Sequence, residues 1–361
     1  MLSRYARFIS VAVLASMVAA CGGGGGASNS LPVTNSPQSQ SSADTLDTMN
    51  SLASLNMGNT RSSCGSAAFG EARCFSVYRT DIAAQLESPN ATVAGFSRAD
   101  FLSAYKLPTT GGTGQIVGIV DAFDNPNAEK DLAVYRKHFK LPACTTANGC
   151  FKKTNQTGGT KYPAGDSGWG AEISLNLDMV SAVCPTCHIV LVEATTNSFA
   201  NLGKAVSEAV KLGADEVSNS YGGGEFAASS ADFTHPGVLI TASSGDSGYA
   251  AGPQQPCTFS TLVCVGGTTL VKGGGTRGWT ESAWAGAGSG CRALVAKPSW
   301  QTDKGCTKRS ESDVSAVADP NTGVAVYDTY GFSGWLVFGG TSVSSPMVAA
   351  MYALAGNGAT Q

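Results

Sequence analysis

Histidine and charge are both scarce in this chain of 361 residues. It has three histidines, charged residues make up 14% of the sequence, and the formal net charge is -3. The Lys and Arg residues are scattered, so no basic stripe is available to a nucleic acid backbone. We therefore exclude nucleic acid as a partner, and a catalytic site would have few histidines to use as a base.

Long apolar runs are few, and one of them lies at the N-terminus. Arg4 and Arg7 precede an apolar stretch at 8–20 that is short for a membrane span and typical of a signal peptide. Its end, Val18-Ala19-Ala20-Cys21, resembles the lipobox of bacterial lipoproteins. This predicts a lipid-anchored Cys21 at the cell envelope, and Gly22 favours the outer membrane. The alternative is an ordinary secretory signal that contains Cys21.

Ten of the eleven cysteines remain once Cys21 is set aside, an even number that suits an oxidising compartment. Close neighbours would each close a short loop, although sequence leaves the connectivity open: Cys64 with Cys74, Cys144 with Cys150, Cys184 with Cys187, Cys257 with Cys264, and Cys291 with Cys306. Zinc at Cys184 and Cys187 is the alternative interpretation. No second cysteine pair has the spacing of a zinc finger, so we expect no metal there.

Composition divides the chain into four segments. The signal peptide at 1–20 is followed by a Gly- and Ser-rich linker at 21–61, where burial cannot offset the entropy cost of ordering. An extension at 62–107 includes a helix-like stretch at 97–105. The remainder, 108–361, has enough apolar residues for the core of one large domain.

Strands and helices alternate along this main domain. Hydrophobic patterning predicts strands at 115–120, 188–193, 216–219 and 237–242, and helices at 127–138, 169–183 and 201–212. Such alternation is typical of an α/β fold in which helices flank a mostly parallel sheet.

Two serines compete for the role of a nucleophile. Ser342 follows the glycine turn Gly339-Gly340 and begins an apolar helix, where backbone N–H groups favour negative charge. Ser247 lies in Gly245-Asp246-Ser247-Gly248, a motif typical of chymotrypsin-like enzymes. Such enzymes need an all-β fold and an upstream histidine, so Ser342 is the better candidate.

A nucleophilic serine needs a proton acceptor, and the three histidines are poorly placed by sequence. His138 lies in a charged helix, His188 begins a strand, and His235 precedes a proline. Carboxylates become the candidates. Glu172 and Asn176 are four residues apart and share one helix face, which taken alone would suit a solvated surface.

Together, several ordered motifs resemble the sedolisin family of serine-carboxyl peptidases, from about residue 97 to the C-terminus. The resemblance takes in the Ser342 motif and Trp169 to Asp178, with Ile119-Val120-Asp121, Ser220-Tyr221-Gly222, Ser243 to Gly248, Asp313 to Ala316 and Asp319-Pro320. It implies a subtilisin-like fold in which a Glu and an Asp on one helix replace the histidine of subtilases.

The resemblance also implies residue roles. Ser342 would be the nucleophile, Glu172 the general base and Asp246 the hydrogen-bond donor to the oxyanion. A carboxylate base with a pKa of about 4 to 5 suits acid pH, where a protonated Asp246 can donate. We expect protein or peptide substrates, a monomer, and membrane contact only through the lipid anchor.

One departure from the family pattern affects the expected activity. Asn176 stands where the family has the second carboxylate; its amide could orient Glu172 but cannot share a proton with it. Loss of the orienting acid costs serine proteases roughly 10⁴-fold in kcat. Asp121 could substitute for the missing carboxylate, or could instead cap the following loop. Asp178 comes six residues after Glu172, about 600° around the helix, and therefore faces away from Glu172.

A second departure concerns length. Family members continue beyond the nucleophile helix into a segment that binds calcium, but only residues 343–361 follow Ser342 here, without an oxygen-rich loop. We therefore expect a C-terminally truncated domain without the calcium segment, and exposed apolar surface or instability. The leading hypothesis is an acid-pH serine endopeptidase; the alternatives are a catalytically impaired pseudoprotease and a poorly folding product.

Overall fold

The computed structural model describes residues 58–88, 92–227, 229–356 and 358. The predicted signal peptide, the lipidation site Cys21 and most of the linker lie outside these residues. Within the described ranges, no helix has the length and apolar character needed to cross a bilayer.

Seventeen strands and five α-helices are described. The strands are β1 Thr60–Ser62, β2 Arg73–Cys74, β3 Val77–Arg79, β4 Ile116–Ala122, β5 Phe151–Asn155, β6 His188–Ala194, β7 Glu216–Asn219, β8 Tyr221–Gly224, β9 Leu239–Ser243, β10 Gln254–Gln255, β11 Val263–Lys272, β12 Trp279–Ala283, β13 Gly290–Ala296, β14 Lys308–Glu311, β15 Val314–Val317, β16 Val324–Asp328 and β17 Gly334–Gly339. The helices are α1 Arg98–Tyr105, α2 Ala128–His138, α3 Ser167–Val183, α4 Phe199–Lys211 and α5 Thr341–Ala355.

The central sheet has the order β12-β11-β9-β7-β4-β6-β5, and β15 pairs with β11. All pairs are parallel except β11 with β12. Helices connect β4 to β5, β5 to β6 and β6 to β7, and burial of these strands explains why β4 is apolar from Ile116 to Val120. The predicted α/β class with a mostly parallel sheet is confirmed.

The predicted elements are present with small shifts at their ends. Strand β9 begins at Leu239, two residues later than predicted. Gly237 has a φ of +87°, which is not an extended conformation, so the strand starts only after this residue. Helix α3 is buried along nearly its whole length and packs between α2, α5 and β16. A helix enclosed in this way needs apolar residues on every side, so each polar residue in it requires a specific partner.

Residues of the extension at 62–107 pair with strands of the main domain. Strand β3 pairs antiparallel with β1 and with β17, and β2 pairs antiparallel with β8. The two pairings place the extension beside the strand that precedes Ser342. The described chain contains all five expected cysteine pairs as disulfides, including Cys184–Cys187, where zinc was the alternative.

Candidate active site

Helix α5 presents Ser342 from its first turn. Its N-cap, Gly340, has a φ of +92°, and a side chain there would meet the Phe75 carbonyl and the Asp246 carboxyl. Only glycine fits this close approach. Ser342 is fully buried, and its Oγ donates a 3.1 Å hydrogen bond to the carbonyl of Ser220.

Pro346 affects the same turn of α5. Proline has no N–H, so the usual helical hydrogen bond from residue 346 to the carbonyl of Ser342 is missing. The Ser220 hydroxyl lies 3.4 Å from that carbonyl, but it donates its one proton over the shorter distance of 2.8 Å to Asn176 Oδ1. Ser220 therefore contacts Ser342, the candidate nucleophile, twice, through its own carbonyl and through its hydroxyl.

Glu172 projects from α3 towards Ser342 and is fully buried. Burial raises its pKa well above the usual range, and the nearby carboxyls of Asp121 and Asp246 raise it further. The hydroxyls of Ser76 and Ser342 oppose this rise. Among the described atoms, neither carboxyl oxygen of Glu172 has a hydrogen bond of normal geometry. The candidate base is thus next to the candidate nucleophile but is not held by it.

Asn176, one turn after Glu172, makes its hydrogen bonds to other residues. Its Nδ2 donates to Asp121 Oδ2 at 2.8 Å, and its Oδ1 accepts from the Ser220 hydroxyl at 2.8 Å. The amide therefore links the end of β4 to the residue before β8. Its link to Glu172 runs through Asp121, whose charge raises the pKa of Glu172, rather than through a direct hydrogen bond.

Asp121 is buried at the end of β4, and its Oδ1 has no partner in the described part of the molecule. Burial raises the pKa of Asp121 well above its usual range, while the hydrogen bond from Asn176 lowers it. Asp121 and Glu172 are close enough for their charges to interact. Only one of two such carboxyls ionises readily. Ionisation of one carboxyl therefore raises the pKa of the other.

Asp246 lies in the loop after β9, beside the N-terminus of α5. Its Oδ1 accepts hydrogen bonds from the N–H of Thr341 at 2.7 Å and from the Thr341 hydroxyl at 2.9 Å. Its Oδ2 is buried without a partner among the described residues. Burial raises the pKa of Asp246 to about 7, against the opposing effects of Thr341 and Arg73. Below that pH the carboxyl has a proton to donate.

A cleft of about 400 Å³ lies beside Asp246, which is one of its lining residues. Two glycine-rich segments form its walls, the strand β8 and the loop 245–248, and Arg73 and Phe75 of the extension line it as well. Because glycine has no side chain, the two walls leave room for a ligand between them. Strand β8 itself is paired with β2 on one side and with β10 on the other.

The remaining candidates lie elsewhere. The imidazole of His138 packs against Trp335, His188 is exposed at the start of β6, and His235 contacts the carbonyl of Asp232. Asp178 accepts a 2.9 Å hydrogen bond from the backbone N–H of Tyr327. Ser247 is half-buried on the cleft wall. The sequence thus placed Asp178 correctly on a different face of α3.

Sequence reasoning missed the contribution of the extension. Phe75 and Ser76, at 3% and 0% exposure, are buried against the site, and Ser76 acts on the pKa of Glu172. The sequence contains no motif for this role. The one signal in the sequence was the close spacing of Cys64 and Cys74, because a disulfide between them indicates that this segment is ordered.

Metal ligands are few in the described part of the chain. The group of potential ligands that lie within reach of one another is Cys257, Cys264 and Glu311, and the two cysteines are joined as a disulfide. The described residues after Ser342 contain no carboxylate, so they do not fit a calcium site.

The fold is subtilisin-like. The structure is similar to Pseudomonas sedolisin, a serine-carboxyl proteinase solved with two molecules of pseudo-iodotyrostatin, with a TM-score of 0.59 and 23% identity over 73% of this chain and 80% of that one. It also matches fervidolysin from Fervidobacterium pennivorans, a keratinolytic enzyme related to subtilisin, with a TM-score of 0.46 and 17% identity over 68% of this chain and 36% of that one. No family model and no curated protein matches the sequence.

Proposed function

We propose that the chain is a serine-carboxyl peptidase of the sedolisin type that hydrolyses peptide bonds on the acid side of neutrality. The observation that carries the proposal is the convergence of Ser342, Glu172 and Asp246 in one buried site. Each of the three histidines has other neighbours. A carboxylate is therefore the available proton acceptor for Ser342.

The proposed reaction uses these three side chains in sequence. Ser342 Oγ attacks the carbonyl carbon of the substrate, and its proton passes to a carboxylate oxygen of Glu172. The oxyanion accepts a hydrogen bond from protonated Asp246 Oδ2. Glu172 then gives the proton to the leaving amine, and the C–N bond breaks. Water attacks the acyl-serine by the same route and releases the acid product.

The proton-sharing role of the missing family carboxylate falls to Asp121 in this proposal. Asn176 holds Asp121 by the 2.8 Å hydrogen bond from its Nδ2. Asp121 in turn interacts with Glu172 by charge. The amide is then a positioning residue, because it acts on Glu172 through Asp121.

A catalytically impaired pseudoprotease is the second candidate, and one observation favours it. The Ser342 hydroxyl donates to the Ser220 carbonyl, while the described residues give the Glu172 oxygens no hydrogen bond of normal geometry. A hydroxyl held in this way is not aligned with its base. Under this alternative the cleft binds peptides without cleaving them.

Peptide hydrolysis by purified variants separates the two candidates. Casein and a peptide library are incubated between about pH 3 and 7 with the wild type, Ser342→Ala, Ser247→Ala and Asn176→Asp. Turnover that Ser342→Ala abolishes and Ser247→Ala retains supports the peptidase. Turnover that appears only in Asn176→Asp supports the pseudoprotease. Loss with Ser247→Ala alone would contradict both proposals.

An extracytoplasmic location is part of the proposal. Five disulfides in the described chain support it, since disulfides persist in oxidising compartments. The substrates would then be proteins or peptides outside the cytoplasm. The lipid anchor at Cys21 remains a prediction.

A further inference from the structure

Thr341 joins helix α5 to the loop that contains Asp246. It precedes Ser342 in the first turn of the helix and is fully buried. Its Oγ1 accepts a hydrogen bond from the N–H of Gly245 at 3.0 Å and donates to Asp246 Oδ1 at 2.9 Å. Its own N–H donates to the same oxygen at 2.7 Å. One threonine thus supplies two donors to a single carboxyl oxygen.

The direction of the Thr341 hydroxyl follows from its neighbours. A backbone N–H can only donate, so Gly245 makes Oγ1 an acceptor on one side. The other partner of Oγ1 among the described residues is Asp246 Oδ1. If the hydroxyl turned to accept a proton from Oδ1, its own hydrogen would be buried without an acceptor, which is costly. The hydroxyl therefore donates to Asp246.

The two carboxyl oxygens of Asp246 consequently have different environments. Oδ1 accepts two hydrogen bonds from Thr341, which occupy its two lone-pair directions. Oδ2 is buried without a partner in the described part of the chain, and a Cβ on Gly340 would lie 2.5 Å from it. Asp246 also lines the cleft. A proton on this carboxyl is therefore favoured at Oδ2 rather than at Oδ1.

The position of Thr341 is fixed by hydrogen bonds to its carbonyl. That carbonyl accepts from the hydroxyl of Ser243 at 2.8 Å and from the hydroxyl of Ser344 at 2.9 Å. Ser243 ends β9 and Ser344 belongs to α5, so the strand and the helix both hold the residue. A donor that is oriented before the substrate binds needs no reorganisation during the reaction.

We propose that Thr341 is a positioning residue that directs the proton of Asp246 to Oδ2 and so orients the donor to the oxyanion. The inference rests on the proposed function, and it adds a residue that acts through Asp246 and not on the substrate. The charged groups that face Asp246 from other elements are Arg73 of β2 and Glu172 of α3. The hydrogen bonds to Oδ1 come from Thr341 and not from these two groups.

Removal of the Thr341 hydroxyl should raise the pH at which Asp246 titrates. Burial raises the pKa of Asp246 to about 7, while the N–H and the hydroxyl of Thr341 and the charge of Arg73 lower it. The isosteric Thr341→Val loses one contact that favours the ionised carboxyl, so we expect the titration to move up by about one pH unit or more. Thr341→Ser keeps the hydroxyl and should titrate near pH 7.

Carbon-13 NMR of labelled aspartate carboxyls measures this titration without catalysis. The full chain with Ser342→Ala is the parent throughout, and the Asp246 signal is identified by its loss in Asp246→Asn. The control Thr258→Val removes another fully buried threonine hydroxyl, one without a hydrogen-bond partner among the described residues, and should leave the titration in place. The proposal is overturned if Thr341→Val titrates with the parent, or if Thr341→Ser or Thr258→Val shifts the titration as far.

A second readout does not depend on how well Thr341→Val folds. In Asp246→Asn, the new side-chain NH2 should take the position of Oδ2, because Thr341 donates to the other atom. Nuclear Overhauser effects should then connect this NH2 to the Hα atoms of Gly340, since Oδ2 lies beside that residue. A stronger effect from the NH2 to the N–H of Thr341 than to Gly340 would also overturn the proposal.

Hydrolysis by chains that keep Ser342 is scored separately. If these chains cleave peptides, the alkaline limb of kcat/KM should move up in Thr341→Val together with the Asp246 titration. A limb that stays in place while the titration moves would contradict a role of Thr341 in catalysis. A titration that moves without any hydrolysis upholds the effect of Thr341 on Asp246 and contradicts only the peptidase.

Discussion

Asp121 Oδ2 accepts a 2.8 Å hydrogen bond from Asn176 Nδ2, at a buried contact between β4 and α3. The partner of Asn176 on its other side is Ser220, which also contacts Ser342. An amide can donate to a carboxyl and accept from a hydroxyl at the same time. Asn176 therefore joins the Asp121 carboxyl to the residue that holds the nucleophile.

Asp121→Asn should move the acid limb of the pH–rate profile to lower pH. The charge of Asp121 raises the pKa of Glu172, so its removal lets Glu172 ionise at lower pH. The substituted amide still offers an oxygen to Asn176, which keeps the geometry. We expect kcat to fall roughly tenfold or more with little change in KM, measured as kcat and KM between pH 3 and 8.

Asp178→Asn is the matched control, because Asp178 is a buried carboxyl on α3 that bonds to Tyr327. Its substitution should leave the acid limb in place. If the limb is insensitive to Asp121→Asn, or follows Asp178→Asn instead, the coupling of Asp121 to Glu172 does not govern catalysis.

Asp246 should set the alkaline limb of the pH profile of kcat/KM. Its pKa is raised to about 7, so the donor hydrogen is lost as pH rises through 7. In Asp246→Asn the amide donates at any pH, so kcat/KM should stay within about tenfold of wild type at pH 5 and should not fall near pH 7. Asp246→Ala removes the donor and should cost roughly 10²- to 10³-fold.

Glu216 provides a control for this assignment, since burial raises its pKa to about 8 at the start of β7. Glu216→Gln should retain the limb near pH 7. An alkaline limb that persists in Asp246→Asn and disappears in Glu216→Gln would remove Asp246 from the proposed mechanism.

Stability should decrease from acid to neutral pH. Burial raises the pKa of Asp328 to about 7, above the ordinary aspartate value in the unfolded chain. Between pH 4 and 7 the folded state then binds more protons than the unfolded state, so the free energy of unfolding falls as pH rises through this window. Below pH 4 and above pH 7, Asp328 does not contribute to the pH dependence of the free energy of unfolding.

Asp328→Asn removes this contribution. The loss of stability from pH 4 to 8 should become smaller by up to about 4 kcal/mol, measured by urea unfolding at each pH. Asp303→Asn is the comparison variant at an exposed carboxyl. Lys297 holds the pKa of Asp303 at about 2, so this residue affects the pH dependence of stability only below pH 4. Equal pH slopes in wild type and Asp328→Asn would contradict the assigned pKa rise.

Lipidation of Cys21 can be tested on the expressed chain. The full sequence produced in a bacterium should enter the detergent phase of a Triton X-114 extraction, and Cys21→Ser should move it to the aqueous phase. Cys64→Ser, which affects only a disulfide of the extension, should stay in the detergent phase. A wild type that stays aqueous would favour the ordinary secretory signal.

Local patterning was sufficient for most of the fold. Periodicity of apolar residues predicted the helix of Glu172 and four of the eight strands of the central sheet, because helix and strand repeats depend on neighbours in sequence. The glycine turn before Ser342 and the close cysteine pairs are local in the same sense. The position of Ser342 at the start of a helix and the class of the fold were therefore readable from the sequence.

Contacts between distant segments decided the state of the site. Ser220 and Ser342 are 122 positions apart, and Asn176 and Asp121 are 55 apart. No periodicity encodes such pairs, and the pKa of Glu172 depends on burial that the whole fold creates. The sequence alone determined which side chains were available for catalysis. The tertiary structure decided that Asn176 bonds to Asp121, and that Phe75 and Ser342 share the Ser220 carbonyl as acceptor, because packing sets both.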